Sequence, residues 1–337
     1  MIILGALVLI LGLPERGISG WSLAKETELG PDSPDFPAIP SHFPIEVLRT
    51  YRVMPPSRKA IYAQVAVFQD GKNRAETALL SMQSKPVPGQ ISQHWEETDR
   101  RYSIWVEAAR AIQKHAEPNA LIIAWWDNAQ RACLFTGLET WVYQPAAAGF
   151  TDAGERTVWE VLGGGFTKDG KRLQTLAQWF TLDTPNALEM LKTHLPADRP
   201  VYFLVTVDDL THLREMEALG GKKLALKSAV FPTSGDIHGL VSSVKRWLEE
   251  QGGHGYLVQP LSPGSIRAWT KPTHARGEDT VMYPSLGIEE HQEALLVRML
   301  PFSDSMARPL DSFQLVYQSA WGAYLSIYRW HYDGMNK

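Results

Sequence analysis

The chain has 337 residues, of which 44% are hydrophobic and 21% charged, with a formal net charge of −4. That composition predicts one large or two modest folded units with a real core, and the slight acidity argues against nucleic acid as a partner. A single cysteine, Cys133, excludes an intrachain disulfide, a CxxC redox pair, a Cys-rich zinc site and a CxxCH haem attachment.

The first residues, MIILGALVLILGLP, are apolar or glycine up to Pro14. They fall short of the roughly 20 residues of a spanning helix. They also lack the positive n-region and small-residue cleavage site of a secretory signal. Residues 1–13 are read as a membrane anchor or signal segment, against a buried strand as the alternative. Prolines at 14, 31, 34, 37, 40 and 44 predict an extended linker over residues 14–44. A folded domain is expected over 45–337. IEVLRTYRVM and KAIYAQVAVFQD read as strands with a turn at DGKN, and RAETALLSMQ reads as a short helix.

A longer helix is expected over 94–115, with Tyr102, Trp105, Val106, Ala109 and Ile112 on one apolar stripe. ALIIAWW then reads as a strand, followed by a helix that Asp127 is placed to cap. This grammar recurs. TPNALEMLKTHLPADRP is a helix, VYFLVTV a strand and DDLTHLREMEALG a helix. KKLALKSAVFPT is a strand, and SGDIHGLVSSVKRWLEEQGG is a helix with Ile237, Leu240, Val241, Val244, Trp247 and Leu248 on one face. From about residue 254 the texture becomes β-rich, with YLVQPL…IRAWTKP and FQLVYQSAWGAYLSIYRWHY as strand pairs. The expected fold is α/β: a mixed sheet flanked by helices, with β-hairpins at the C-terminal end.

Functional groups gather at the carboxyl ends of strands in open α/β sheets. Trp125, Trp126 and Asp127 are expected at one such end, with Arg131 nearby, and Asp208 and Asp209 at another. One reading makes these residues a binding edge with the two indoles as stacking or interface surfaces. The other makes the acids helix caps and the indoles core. Asp208 and His212 share a helix face, but nothing nearby completes a metal site. The acidic run Glu289, Glu290, His291 and Glu293 reads as a solvated face, and Gly163–Gly165 as a flexible turn. LGGGFTKDGK lacks the spacing of a phosphate loop or a dinucleotide site, and G-x-S-x-G is missing. No catalytic residue, metal or cofactor is assigned.

Two resemblances follow from these residues. WWDNAQR resembles the WWDYG signature of oligosaccharyltransferase catalytic subunits, sharing Trp125, Trp126 and Asp127, with Asn128 and Ala129 departing from it. VYFLVTVDDL and the closing hairpin are similar to parts of the soluble domain of that family. There the triplet helps hold the hydroxyl residue of an acceptor sequon, but catalysis needs a multi-pass membrane bundle that this chain does not show. The apolar start, the proline-rich stretch and the AWWDNAQR…TG core resemble the HaoB family, encoded beside hydroxylamine oxidoreductase. That resemblance implies an inner-membrane anchor and a periplasmic domain. It implies a non-catalytic accessory role in hydroxylamine oxidation, with hydroxylamine oxidoreductase or another periplasmic redox protein as partner. The alternatives are a peptide- or glycan-binding module, and an enzyme using the carboxylates of Asp127 and Asp208.

Overall fold

The computed structural model describes residues 20–331, apart from 58, 84–90, 234–235, 263, 272–280, 283–288, 291–292 and 306–309. The apolar segment expected as an anchor lies outside them.

An antiparallel meander comes first: β1 (Ser22–Leu29), β2 (Ile45–Met54), β3 (Ile61–Gln69) and β4 (Ala75–Gln83), in that order. This corrects two expectations. Ser22–Leu29 is not a free linker, since its ladder with β2 satisfies its extended backbone. The prolines that follow leave Phe36, Ile39 and Phe43 packed on the core. Phe43 stacks on Phe68 at 5.6 Å, and the Phe43 and His42 amides both donate to the Leu134 carbonyl. Residues 75–83 are a strand, not a helix. Ala, Glu, Leu and Met favour helix, but pairing with β3 and cover from a neighbouring helix decide the outcome.

Next come α1 (Ile91–His115), β5 (Leu121–Ile123), α2 (Trp126–Thr136), β6 (Glu139–Thr140), α3 (Ala153–Leu162), α4 (Lys171–Thr181) and α5 (Thr184–His194). Asp152 and Asp183 cap α3 and α5 by accepting the amides of Glu155 and Asn186. Gly137 ends α2 in the left-handed region at φ 73°, donating its amide to the Cys133 carbonyl. The Gly163–Gly165 turn is pressed against β4: a Cβ on Gly164 would meet Thr77 at 2.7 Å.

β7 (Val201–Thr206) leads through a 3₁₀ turn, Val207–His212, into α6 (Leu213–Gly220). Then follow β8 (Lys227–Pro232), α7 (Ile237–Glu250), β9 (His254–Ser262), β10 (Ser265–Lys271), β11 (Val281–Met282), β12 (Glu289–Glu290), α8 (Leu295–Met299), β13 (Phe313–Gln318), α9 (Ala320–Ala323) and β14 (Leu325–Trp330). The main sheet has the order β13-β14-β7-β5-β6, parallel among β7, β5 and β6 and antiparallel at β14 and β13. The fold is therefore mixed α/β with a β-rich end, as expected. Every residue of β7 is buried, as a strand covered on both faces requires.

One continuous core joins the meander, α1, α2 and the main sheet. The three-stranded sheet β8-β10-β9 has a small core of its own under α7, built on Val244, Leu248 and Ala268. The face expected on α7 is only partly used. Val244 and Leu248 are buried, but Ile237 is 68% exposed and Val241 46%. The acidic run also needs correction at its last member. Glu293 is buried and accepts a hydrogen bond from the buried Lys271 ammonium at 3.1 Å.

Candidate functional site

β5 and β7 are adjacent and parallel, so their carboxyl ends bring α2 and the 3₁₀ turn together. The expected residues Trp125, Trp126, Asp127, Arg131, Asp208 and Asp209 are thus gathered in one region. Their roles differ from the expectation. Trp125 and Trp126 have no exposed surface, so neither indole can stack on a ligand or anchor an interface. Burial obliges each indole N–H to find an acceptor. Both donate to Glu215 Oε2, at 3.2 and 3.1 Å, and His212 Nδ1 lies 3.1 Å from the same atom. Gly149 makes room for this carboxyl group: a Cβ there would stand 2.6 Å from Glu215 Cγ.

Asp127 does not cap α2. The N-cap is Trp125, without a side-chain bond, and Asp127 stands in the first turn, buried against Arg131 and His212. Its Oδ2 accepts from Arg131 Nη2 at 2.9 Å and lies 3.5 Å from His212 Nε2. Burial raises the pKa of this carboxyl, but the adjacent guanidinium and imidazole outweigh that and hold it at about 2. Burial works against charge on His212 too. Asp127 and Glu215 overcome it and lift the imidazole to about 10. Arg131 is locked further by donating to the Leu79 carbonyl and to Asn128 Oδ1, with Trp105 beneath it at 5.7 Å.

At the neighbouring strand end Thr206 is the N-cap, and Asp209 completes its capping box from the third position of the turn. Asp209 Oδ2 accepts the Thr206 amide at 2.7 Å, and its Oδ1 accepts from Asn128 Nδ2 at 2.7 Å. Burial and the nearby Asp127 charge push it up to about 8. Asp208 faces the other way. It accepts from Tyr324 Oη at 2.6 Å and from Gln259 Nε2 at 3.0 Å, tying the 3₁₀ turn to α9's end and to β9.

A cavity of about 110 Å³ opens between these groups, lined by Asp127, Arg131, Asp208 and His212 and by Trp105, Ser81, Gln259 and Tyr324 among others. Asp127 and Asp208 share one small cavity, but both tryptophans are buried in the core, which removes the reading of these two carboxylates as an active site. The space is too small for a peptide or a sugar unit. Among the described residues no group of acids, histidines and cysteines could hold a metal ion, and Asp208 with His212 is no exception.

Sequence reasoning missed Asn128, Thr206 and Glu215. Glu215 stands three residues from His212, which hints at a pair, but its bonds to the tryptophans span about ninety positions and leave no local signature.

Fold and site together define a mixed α/β protein organised around a buried ionic cluster, with aromatic residues as its walls. The chain belongs to the family described as HaoA-associated protein HaoB, which it matches over residues 1–330. That membership links it to hydroxylamine oxidation. No curated protein matches it. Among solved structures it is similar to the C-terminal domain of PglB from C. jejuni, at 10% identity and a TM-score of 0.38, covering 67% of this chain and 99% of that one.

Proposed function

We propose that the chain is a non-catalytic, membrane-anchored periplasmic accessory protein that docks on hydroxylamine oxidoreductase. The family's description supports the partner, and the apolar segment 1–13 supports the anchor. The docking face we assign is the unit of β8, β9, β10 and α7, not the Trp-Trp-Asp edge. The observation that carries this is the exposure of Ile237 and Val241, one helical turn apart, beside a groove of about 490 Å³. Phe231, Leu240 and Pro232 line that groove, and Val230 on β8 is 55% exposed. Grouped apolar side chains of this kind on a soluble surface mark interaction sites.

The test is co-purification from native membranes in mild detergent, with tagged wild type and the double variant Ile237→Asp, Val241→Asp. The oxidoreductase should accompany the wild type and be lost from the variant. Equal recovery with both proteins, or recovery with neither, overturns this assignment.

A further inference from the structure

The cavity beside Asp127 has an acceptor to spare, and each donor nitrogen of Arg131 is already engaged once. Arg131 gives its Nε to Leu79, Nη1 to Asn128 and Nη2 to Asp127. The Tyr324 hydroxyl is given to Asp208, Thr211 Oγ1 to the Asp208 carbonyl, and Ser81 Oγ to Gln64. Against this, Asp127 is 3% exposed and its Oδ1 has no hydrogen-bond partner among the described residues. An ionised oxygen left buried and unpaired is costly, so its persistence calls for an occupant that donates to it.

The lining also fixes the occupant's size and charge. A cavity of roughly 150 Å³ takes a benzene ring, so one of about 110 Å³ takes a molecule of only a few heavy atoms. Among the lining residues the acids Asp127 and Asp208 stand beside the cationic groups Arg131 and His212, so acidic and basic side chains are equal in number at the cavity wall. Thr211 and Pro260 are exposed at the rim, which gives a small molecule a way in from solvent.

We infer that this cavity is a binding site for a small neutral molecule rich in N–H and O–H donors, of the size and type of hydroxylamine, held on Asp127 Oδ1. The choice of hydroxylamine rests on the family's link to hydroxylamine oxidation; the donor-rich class rests on the cavity alone. Binding involves no covalent step. It gives the accessory protein a sensing or delivering role that an interface by itself does not have.

The experiment is a calorimetric titration of the detergent-solubilised full chain, without any partner protein, using hydroxylamine at neutral pH. A change in intrinsic tryptophan fluorescence, to which the cavity-lining Trp105 contributes, is a second readout. Saturable one-to-one binding is expected. Asp127→Asn should weaken it at least tenfold, because the replaced atom is the acceptor or becomes a competing donor. Thr211→Trp, an exposed substitution at the rim that leaves the cluster intact, should weaken or slow it. Absence of saturable binding by the wild type, meaning water as the only occupant, overturns the inference. So does equal affinity in the wild type and both variants. Because no partner is present, this outcome is independent of co-purification through Ile237 and Val241.

Discussion

Two regions of the molecule invert what their sequences suggest. AWWDNAQR carries the most unusual residues of the chain, and the structure spends nearly all of them internally. Both indoles, Asp127, Asn128, Gln130 and Arg131 are buried and bonded to one another or to β4, β7 and α6. SGDIHGLVSSVKRWLEE looks like an ordinary amphipathic helix, yet it leaves apolar side chains in solvent. Rarity of residue type therefore does not report exposure. A helix's apolar stripe can be wider than the surface it covers, and the uncovered part is where a partner has room.

The contrast can be broken most severely at Asp127. Asp127→Ala removes the partner shared by Arg131 and His212 and leaves two buried cationic groups facing each other. A loss of about 3–5 kcal/mol is expected in urea denaturation, and a loss below about 1 kcal/mol would mean that the cluster is solvated. Glu215→Leu comes next. It strands two indole N–H groups and the imidazole, at about 1–3 kcal/mol for each orphaned donor. Near-UV circular dichroism of the tryptophan region should change with it.

A pH series sharpens the same point with no change in the chain's fold at neutrality. His212 is raised from 6.5 to about 10, so its contribution is complete below pH 6.5 and is lost as pH rises through about 10. Asp209, raised from 3.8 to about 8, adds a decline that begins at about pH 3.8 and is complete above about 8. Asp127, lowered from 3.8 to about 2, sets the opposite trend only below pH 3.8. The urea midpoint should therefore fall from about pH 4 to about 10, and His212→Asn should flatten the part of that slope above pH 6.5. An unchanged slope would place the alkaline loss elsewhere. Smallest of all is Val241→Asp on the exposed face, expected to shift stability by no more than about 0.5 kcal/mol. A larger loss would mean that this face is packed in solution.

Much of the fold was legible because its elements are locally consistent. α1, β5, β7 and α7 have the length, periodicity and stop signals of their class, and the main sheet follows from their alternation. β4 was not legible. Ala78, Leu79, Leu80 and Ser81 are buried in succession, so no period of two appears, and their helix propensity points the wrong way. The strand β1 was hidden by prolines downstream, although no proline falls within it. The site was legible as a location, since strand ends collect polar residues in such sheets. Its roles were not. Whether Asp127 caps a helix or pairs with His212 depends on how α6 is turned against α2, and no neighbour in sequence encodes that.

The strand order also carries a consequence for biogenesis. β14 sits between β13 and β7, yet Leu325–Trp330 is synthesised well over a hundred residues after Val201–Thr206. Until it arrives, one edge of the fully buried strand β7 is open. The chain thus has high contact order at its centre, which predicts slow folding and an aggregation-prone interval as it emerges. Cleavage anywhere between α8 and β14 would leave β7 as a sticky edge, so proteolytic trimming of this region should yield insoluble material rather than a smaller soluble domain.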